Sequence, residues 1–187
     1  MFKIFERLIS KLKLQFYNEY TIAEFFRKQG AIIGENCRIY INDLAGEPYL
    51  VKIGNHVAIA SNVTLITHDG GVWVYREQDK TINRYGTIEI KDNSFIGFNS
   101  IIMPNVKIGP NSVVGAGSVV RGDVPEGCVV AGNPARFICK TEEYIEICKK
   151  ESLQLPKHIK DSIKDEKNVK FAILFKNIVI KHFWNKK

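Results

Sequence analysis

Branched aliphatic residues recur at every sixth position through the middle of the chain. From Ile90 onward they are Ile90, Ile96, Ile102, Ile108, Val114 and Val120. The position four residues after each of them is small or β-branched: Ser94, Ser100, Val106, Ser112, Ser118 and Val124. A helix repeats its apolar face about every 3.6 residues and a simple strand alternates, so a period of six fits neither. The pattern predicts short straight segments joined by tight corners, with their large aliphatic side chains stacked in one core.

Glycine and asparagine lie near the predicted corners, where we expect them to tolerate a bent backbone. The positions are Gly54, Asn55, Gly97, Gly109, Gly115 and Gly117. Stacked segments would pair their backbones with the segments above and below them. The frame starts near Ile33 and is interrupted between Leu65 and Ile90.

These hexads carry a family resemblance. Residues 96–101 and 114–119, followed by 123–125 and 131–136, resemble the hexapeptide-repeat acyltransferases, in particular the sugar and xenobiotic O-acetyltransferases. The resemblance covers about residues 31–140. It implies an all-β fold, a left-handed parallel β-helix with three hexads per coil. It further implies a homotrimer with active sites between neighbouring β-helices, and acetyl-CoA as the acyl donor.

The chain is expected to have three parts. Residues 1–30 form an amphipathic helical segment, residues 31–140 the β-helix with a loop at 70–86, and residues 141–187 a basic helical extension broken at Pro156. The apolar face of the first segment comprises Phe5, Leu8, Ile9, Leu12 and Phe16. Open ends of a β-helix need covering, so we expect both terminal segments to cap it. Their lysines beside apolar residues leave peripheral docking on an anionic membrane as the alternative.

His68 is the candidate general base. It stands at the start of the interruption, where a regular solenoid bulges outward. Transfer of an acetyl group to an alcohol needs a group that accepts the hydroxyl proton near neutral pH, and histidine can do so. In the resembling family a histidine at this place performs that step. The loop that follows offers side chains suited to sugar hydroxyls and ring faces: Trp73, Tyr75, Arg76 and Glu77.

The partner that orients His68 is left open among a backbone carbonyl, Asp43 and Glu47. Asp69 is adjacent in sequence and would point the opposite way, so we expect it to order the Gly70-Gly71 turn instead. For the oxyanion donor, the resemblance implies an asparagine on the preceding coil. An ungapped alignment puts Tyr40 there, and Asn42, two residues further on, is the candidate.

The resemblance also implies a groove for acetyl-CoA along the late coils. Carried over by position, Phe98 and Ala116 would offer backbone contacts, and corner glycines beside Ala116 would permit close approach. Arg121, Arg136 and Lys140 are the candidate cations for the nucleotide phosphates, with Arg136 the best match to a basic family position.

Composition excludes several other classes. The 187 residues carry a net charge of +7, but nearly all of it lies in the two terminal segments, so a nucleic-acid groove across the core is not expected. The four cysteines show no C-x-x-C spacing, and a zinc hydratase would need three converging imidazoles where the repeat holds only His56 and His68. We therefore expect no metal.

The charges near the N-terminus leave no apolar stretch for a signal peptide, and no apolar run is long enough to span a bilayer. The sequence therefore predicts a cytoplasmic protein, which would lie at the inner face of the membrane if its ends dock there.

The leading hypothesis is an acetyl-CoA-dependent O-acetyltransferase that transfers directly to a sugar or glycan hydroxyl, in surface polysaccharide biosynthesis. The alternative is an N-acyltransferase acting on an amino sugar, or an antibiotic acetyltransferase.

Overall fold

The computed structural model describes residues 14–152 and 169–184, with the side chains of the last helix described from residue 175. The chain divides into two compact units, Met1–Tyr144 and Ile145–Lys187. The expected helix positions Phe5, Leu8, Ile9 and Leu12, and the expected breaker Pro156, lie outside the described residues.

The first unit is built from short strands. A helix, α1 (Ile22–Lys28), precedes them, and two 3-10 helices, Pro48–Leu50 and Gly70–Tyr75, interrupt them. The strands are β1 (Ile32–Ile33), β2 (Arg38–Ile39), β3 (Val51–Ile53), β4 (Ala58–Ile59), β5 (Thr64–Leu65), β6 (Ile88–Ile90), β7 (Phe95–Ile96), β8 (Ile101–Ile102), β9 (Val106–Ile108), β10 (Val113–Val114), β11 (Val119–Val120), β12 (Cys128–Gly132) and β13 (Ala135–Lys140).

The strands form three sheets that the chain visits in turn. Their orders are β1-β3-β6-β9, β13-β12-β10-β7-β4-β2 and β11-β8-β5. All pairings are parallel except β12–β13. Phe95 pairs with Val113 and Ile101 with Val119, so one regular coil takes 18 residues, or three hexads. The prediction of stacked segments with parallel ladders is confirmed.

The predicted core column is also confirmed. The six aliphatics of the period-six pattern are at most 1% exposed. Four of the six positions between them are buried serines, and three of these donate a hydroxyl hydrogen bond to a carbonyl group of the next coil: Ser94 to Gly109 at 2.9 Å, Ser100 to Gly115 at 3.1 Å and Ser112 to Pro125 at 2.8 Å. Serine is tolerated in this core because each hydroxyl has a partner, which removes the cost of burying it.

The role predicted for the corner glycines is right at Gly117 and wrong at four others. Gly117 has a φ of 70°, but Gly54, Gly97, Gly109 and Gly115 do not adopt positive φ. The left-handed corners are held instead by Asn36, His56, Asn62, Asn93, Asn99, Asn105 and Asn111. Asparagine populates this region more readily than most residues. The other glycines are required by space, because a Cβ on Gly97 would lie 2.5 Å from the backbone nitrogen of Ala116 in the next coil.

The amphipathic helical segment predicted over residues 1–30 is only partly helical in its described part. Residues 15–21 form turns, in which the Asn18 side chain accepts from the backbone N–H groups of Tyr20 and Thr21, and Phe16 is 86% exposed. Only α1 is helical beyond them. It buries Ile22, Ala23, Phe25 and Phe26 in the same core cluster as Ile33, so this short helix covers the first coil.

Two helices follow the strands. Helix α2 spans Thr141–Glu151 and has no buried residue, and α3 spans Val169–Trp184. Among the described residues, no helix combines the length and the apolarity needed to cross a membrane.

Gly97→Ala should lower the free energy of unfolding by about 1–3 kcal/mol, because the added methyl would press on the backbone of the next coil. Gly122→Ala is the matched control, since a Cβ there would meet no atom within 4 Å and its φ is not positive. Denaturant unfolding measures both. Equal stability of the two variants would contradict the close-approach explanation.

Candidate active site

At the interruption of the repeat, the chain leaves the coil and returns to it through two short antiparallel arms. The Gly86 N–H donates to the Thr67 carbonyl at 2.8 Å and the Asp69 N–H to the Arg84 carbonyl at 2.9 Å, with His68 and Tyr85 forming the bridge between the two arms. His68 therefore sits at the rim of the coil on well-fixed backbone. Its side chain is 54% exposed, and its ring centroid lies 6.1 Å from that of Tyr85.

Asp69 orders the turn that follows, as predicted. Its carboxylate accepts from the Gly71 N–H at 2.9 Å at the start of the 3-10 helix Gly70–Tyr75. A second oxygen lies 3.3 Å from the Arg84 guanidinium on the returning arm. The loop is thus closed at its base by a carboxylate that does not contact the imidazole in the described structure.

Of the three candidates for orienting His68, the structure selects Glu47. Its Oε2 lies 2.9 Å from Nδ1 of His68, and its side chain is only 15% exposed. Glu47 belongs to an excursion of the first coil, which carries the 3-10 helix Pro48–Leu50 in place of a strand of the third sheet.

Two residues that sequence reasoning missed fix this pair. Thr67 is 1% exposed, and its hydroxyl donates to the same Glu47 Oε2 at 2.6 Å while accepting from the Glu47 N–H at 3.3 Å. Gly46 lies against the imidazole, since a Cβ there would be 3.0 Å from Cε1 and 3.2 Å from Nδ1 of His68. Thr67 could have been suspected from its place beside His68. Gly46 carries no signal in a single sequence.

These contacts set the protonation of Glu47 and the tautomer of a neutral His68. The Thr67 hydroxyl, and after it the His68 imidazole, hold the pKa of Glu47 below its ordinary value. Glu47 is therefore ionised at neutral pH and can only accept hydrogen bonds. A neutral His68 must then carry its proton on Nδ1, which leaves the lone pair on Nε2. No hydrogen bond occupies Nε2 within residues 14–152.

Asn42, the candidate oxyanion donor, is exposed. No hydrogen bond within the described ranges joins it to His68 or Glu47. Its side chain is therefore not held by the Glu47–His68 pair.

The loop residues divide into two groups. Trp73 is 77% exposed and, with Arg76 and Glu77, lines an open concavity of about 630 Å³ that is completed by Val74, Gln78 and Lys80. Tyr75 is 53% exposed and lies outside that lining. The Arg76 guanidinium is already engaged, because it donates to the Lys80 carbonyl at 2.8 Å and to Asn83 Oδ1 at 2.9 Å. Arg76 therefore shapes the loop that presents Trp73.

Phe98 and Ala116 lie one coil apart at the same corner, and both are exposed. The Phe98 carbonyl accepts from the Gly117 N–H at 2.8 Å. This carbonyl is therefore already paired with the next coil. The predicted backbone contact at Phe98 would have to use another group of that residue.

A β-bulge separates two of the three candidate cations, Arg136 and Lys140. Arg121 is exposed after β11, and Arg136 is exposed on β13 opposite Ala131. The register shifts between Val129 and Val130, so Lys140 pairs with Cys128. Since paired residues of antiparallel strands share a face, the bulge puts Lys140 and Arg136 on opposite faces. Lys140 Nζ lies 3.6 Å from the Cys128 Sγ, which separates it from the Arg136 guanidinium.

Within the parts of the chain that the structure describes, no group of three His, Cys, Asp or Glu side chains could hold a metal ion. Cys37, Cys128, Cys139 and Cys148 are free thiols, and His56 is a corner residue whose Nδ1 lies 2.8 Å from Asn93 Oδ1.

Glu47→Gln should destabilise the protein in a pH-dependent way. Because folding lowers the pKa of Glu47, its ionised form contributes stability that is complete above about pH 4.5 and is lost as the pH falls below that value. The difference in unfolding free energy between wild type and Glu47→Gln should therefore shrink on acidification. Denaturant unfolding at several pH values measures it. Glu35→Gln removes an exposed carboxylate and serves as the control; a difference for Glu47→Gln that does not vary with pH would contradict the assignment.

Comparison with known proteins places this chain in a family. The profile described as bacterial transferase hexapeptide (six repeats) matches residues 87–122, which run from β6 to β11. Protein CapG of Staphylococcus aureus is 46% identical over 139 residues, covering 73% of this chain and 81% of CapG.

Two solved structures are similar in fold and sequence. One is a maltose O-acetyltransferase from Clostridium difficile 630, with a TM-score of 0.56 at 28% identity over 73% of this chain and 87% of that chain. The other is a hexapeptide-repeat acetyltransferase from Vibrio cholerae O1 biovar eltor complexed with acetyl coenzyme A, with a TM-score of 0.54 at 33% identity. That match covers 60% of this chain and 61% of the other, so this chain spans less than two thirds of the Vibrio protein. With its stacked hexads, its parallel ladders and its extensive identity to CapG, the chain belongs to the family of hexapeptide-repeat acyltransferases.

Proposed function

We propose that this acyltransferase moves the acetyl group of acetyl-CoA to a hydroxyl of a sugar or glycan by direct transfer, with His68 as general base. The observation that carries the proposal is the contact of His68 Nδ1 with an ionised Glu47. It leaves Nε2, on the other side of the ring from Nδ1, free to accept a proton while the ring stays accessible.

The protein's part in the reaction is a single proton relay. His68 Nε2 accepts the proton of the acceptor hydroxyl as its oxygen attacks the thioester carbon, forming the C–O bond. Glu47 stabilises the imidazolium, and Thr67 keeps the carboxylate in place. When the C–S bond breaks, His68 returns the proton to the departing sulfur. Nothing in this scheme needs a covalent acyl-enzyme. Asn42 is the proposed donor to the developing oxyanion.

The exposed groups of the late coils suit an anionic, extended acyl donor. Phe98 and Ala116 are exposed and stand one coil apart at the same corner. The Arg121 and Arg136 guanidiniums are exposed, and guanidinium is the side-chain group that best matches phosphate oxygens. Acetyl-CoA, which supplies the acetyl group, would be held by these residues. Lys140 is the weakest member of this set because it is turned toward Cys128.

A sugar is the favoured acceptor because the loop presents aromatic surface beside polar groups. Trp73 and Tyr75 offer ring faces, and Glu77 offers hydrogen-bond acceptors. The solved maltose O-acetyltransferase supports a hydroxyl acceptor. We place the reaction in surface polysaccharide biosynthesis. A panel of sugars, amino sugars and aminoglycosides distinguishes O-transfer from the alternative N-transfer.

The proposal includes a left-handed coil and a homotrimer. The outward face of the six-stranded sheet carries an apolar column in which Ala58, Phe95 and Val113 are neighbours, with Phe95 45% exposed. The four-stranded sheet instead presents Lys52, Glu89 and Lys107 outward. The apolar column is the face that suits contact between copies, and light scattering of the full chain measures the assembly.

His68→Ala should lower kcat by about 10²–10⁴ while leaving the affinity for acetyl-CoA unchanged, because a general base acts in the chemical step. A thiol-release assay with the sugar panel measures turnover. His56→Asn is the matched control, since asparagine occupies the equivalent corner at Asn36, Asn93 and Asn111. Near-normal turnover of His68→Ala would exclude the mechanism.

Arg136→Ala should weaken acetyl-CoA binding by about 10–100-fold, which corresponds to the loss of one charge-assisted phosphate contact. Calorimetry with desulfo-CoA measures it without turnover. Lys91→Ala, another exposed cation, should leave the affinity unchanged. If Arg136→Ala binds as wild type does, Arg136 lies outside the donor site.

A further inference from the structure

One face of helix α3 is exposed in the part of the chain that the structure describes. Ile178, Val179 and His182 are half-buried, whereas Ile180 is 41%, Phe183 61% and Trp184 83% exposed. The three exposed residues are spaced by three and four, so they lie together on one side of the helix. Phe183 and Trp184 are large apolar residues, and their exposure to water costs free energy that burial would recover.

The charge of the same segment has one sign. From residue 169 to the C-terminus the sequence contains five lysines and no aspartate or glutamate: Lys170, Lys176, Lys181, Lys186 and Lys187. Lys176 lies one helical turn before Ile180, on the side of the exposed aromatics, and both Lys176 and Lys181 are exposed. A partner for this face must therefore be apolar where the aromatics lie and negatively charged around them.

The length of α3 limits how a bilayer could receive it. Its 16 residues extend about 24 Å at 1.5 Å per residue, which is less than the roughly 30 Å of a hydrocarbon core. Lysines at both ends and in the middle would also oppose burial across it. The geometry fits a helix that lies in the plane of the interface, with its aromatics in the headgroup region and its lysines against lipid phosphates.

We propose that α3 docks the protein on an anionic lipid surface through Ile180, Phe183 and Trp184, with Lys176 and Lys181 providing the electrostatic attraction. This goes beyond the proposed acetyl transfer and does not depend on it. No residue of α3 belongs to the Glu47–His68 site, so the two ideas fail separately.

The test is co-sedimentation of the full-length protein with vesicles. We expect binding to phosphatidylcholine vesicles that contain about 30% phosphatidylglycerol at about 20 mM salt, and much weaker binding at about 500 mM salt or to phosphatidylcholine alone. Lys176→Glu with Lys181→Glu should weaken binding by about 25-fold or more, at about fivefold for each lysine lost. Phe183→Ser with Trp184→Ser should weaken it by more than about tenfold.

Matched controls separate this face from general stickiness and net charge. Phe16→Ser removes another exposed aromatic, and Lys91→Glu with Lys107→Glu makes the same change in net charge in the first unit. Both should bind as wild type does, and turnover of a soluble acceptor should be the same in every variant.

Three results would overturn the proposal. The first is no binding to anionic vesicles at low salt. The second is equal binding to neutral vesicles with no effect of the Lys176 and Lys181 reversals. The third is self-association in the absence of lipid that Phe183→Ser with Trp184→Ser abolishes, because a second copy would then cover the face.

Discussion

Backbone pairing between successive coils is the constraint on which the rest of this structure depends. The strands of the regular coils are two or three residues long, and such strands are not stable alone. Each becomes stable only because its backbone groups bond to the coils on either side. A regular coil must therefore keep its 18-residue length, its inward aliphatic and its small buried neighbour, since a change in any of them displaces the next coil as well. This requirement explains why Gly97 cannot carry a side chain even though its backbone is ordinary.

A scaffold this strict confines chemistry to the places where it is interrupted. The first coil makes an excursion that brings Glu47 to the edge of the third sheet, and the coil containing β5 makes another that begins with His68. Thr67 joins the two because it is still inside the coil, with 1% exposure, and its hydroxyl reaches Glu47. The imidazole is therefore oriented by a carboxylate that is itself anchored to the core. Such an anchor limits the motion of His68, as the proposed proton relay between two substrates would require.

The parts of this arrangement that follow the repeat could be predicted from the sequence. The aliphatic column, the buried serines and the interruption at His68 are periodic features or departures from a period, and both are visible in one chain. The choice of Glu47 over Asp43 could not be made, because the first coil departs from the hexad frame and its register is set by contacts rather than by spacing. The pairing of Lys140 with Cys128 could not be predicted for the same reason. A β-bulge changes the face of the sheet on which a residue lies without changing the sequence pattern. The role of the corner glycines was predicted wrongly because two different constraints favour glycine, a positive φ and a lack of space for a side chain. Only the structure distinguishes the two constraints.

Covering the ends of the solenoid was the role expected of both terminal segments, and the first unit already performs much of it. At one end α1 buries Ile22 and Phe26 against the first coil. At the other, β13 turns back along β12 and ends the six-stranded sheet, and Thr141 donates through its N–H to Gly127 and through its hydroxyl to Asn111. These contacts pair the backbone of β12, which would otherwise be the open edge, and make β13 the edge strand in its place. The apolar residues of α3 are therefore not needed to end that sheet. The exposure of Phe183 and Trp184 has a free-energy cost that needs another explanation. The proposed anionic lipid surface would complement both their apolar character and the uniform positive charge around them.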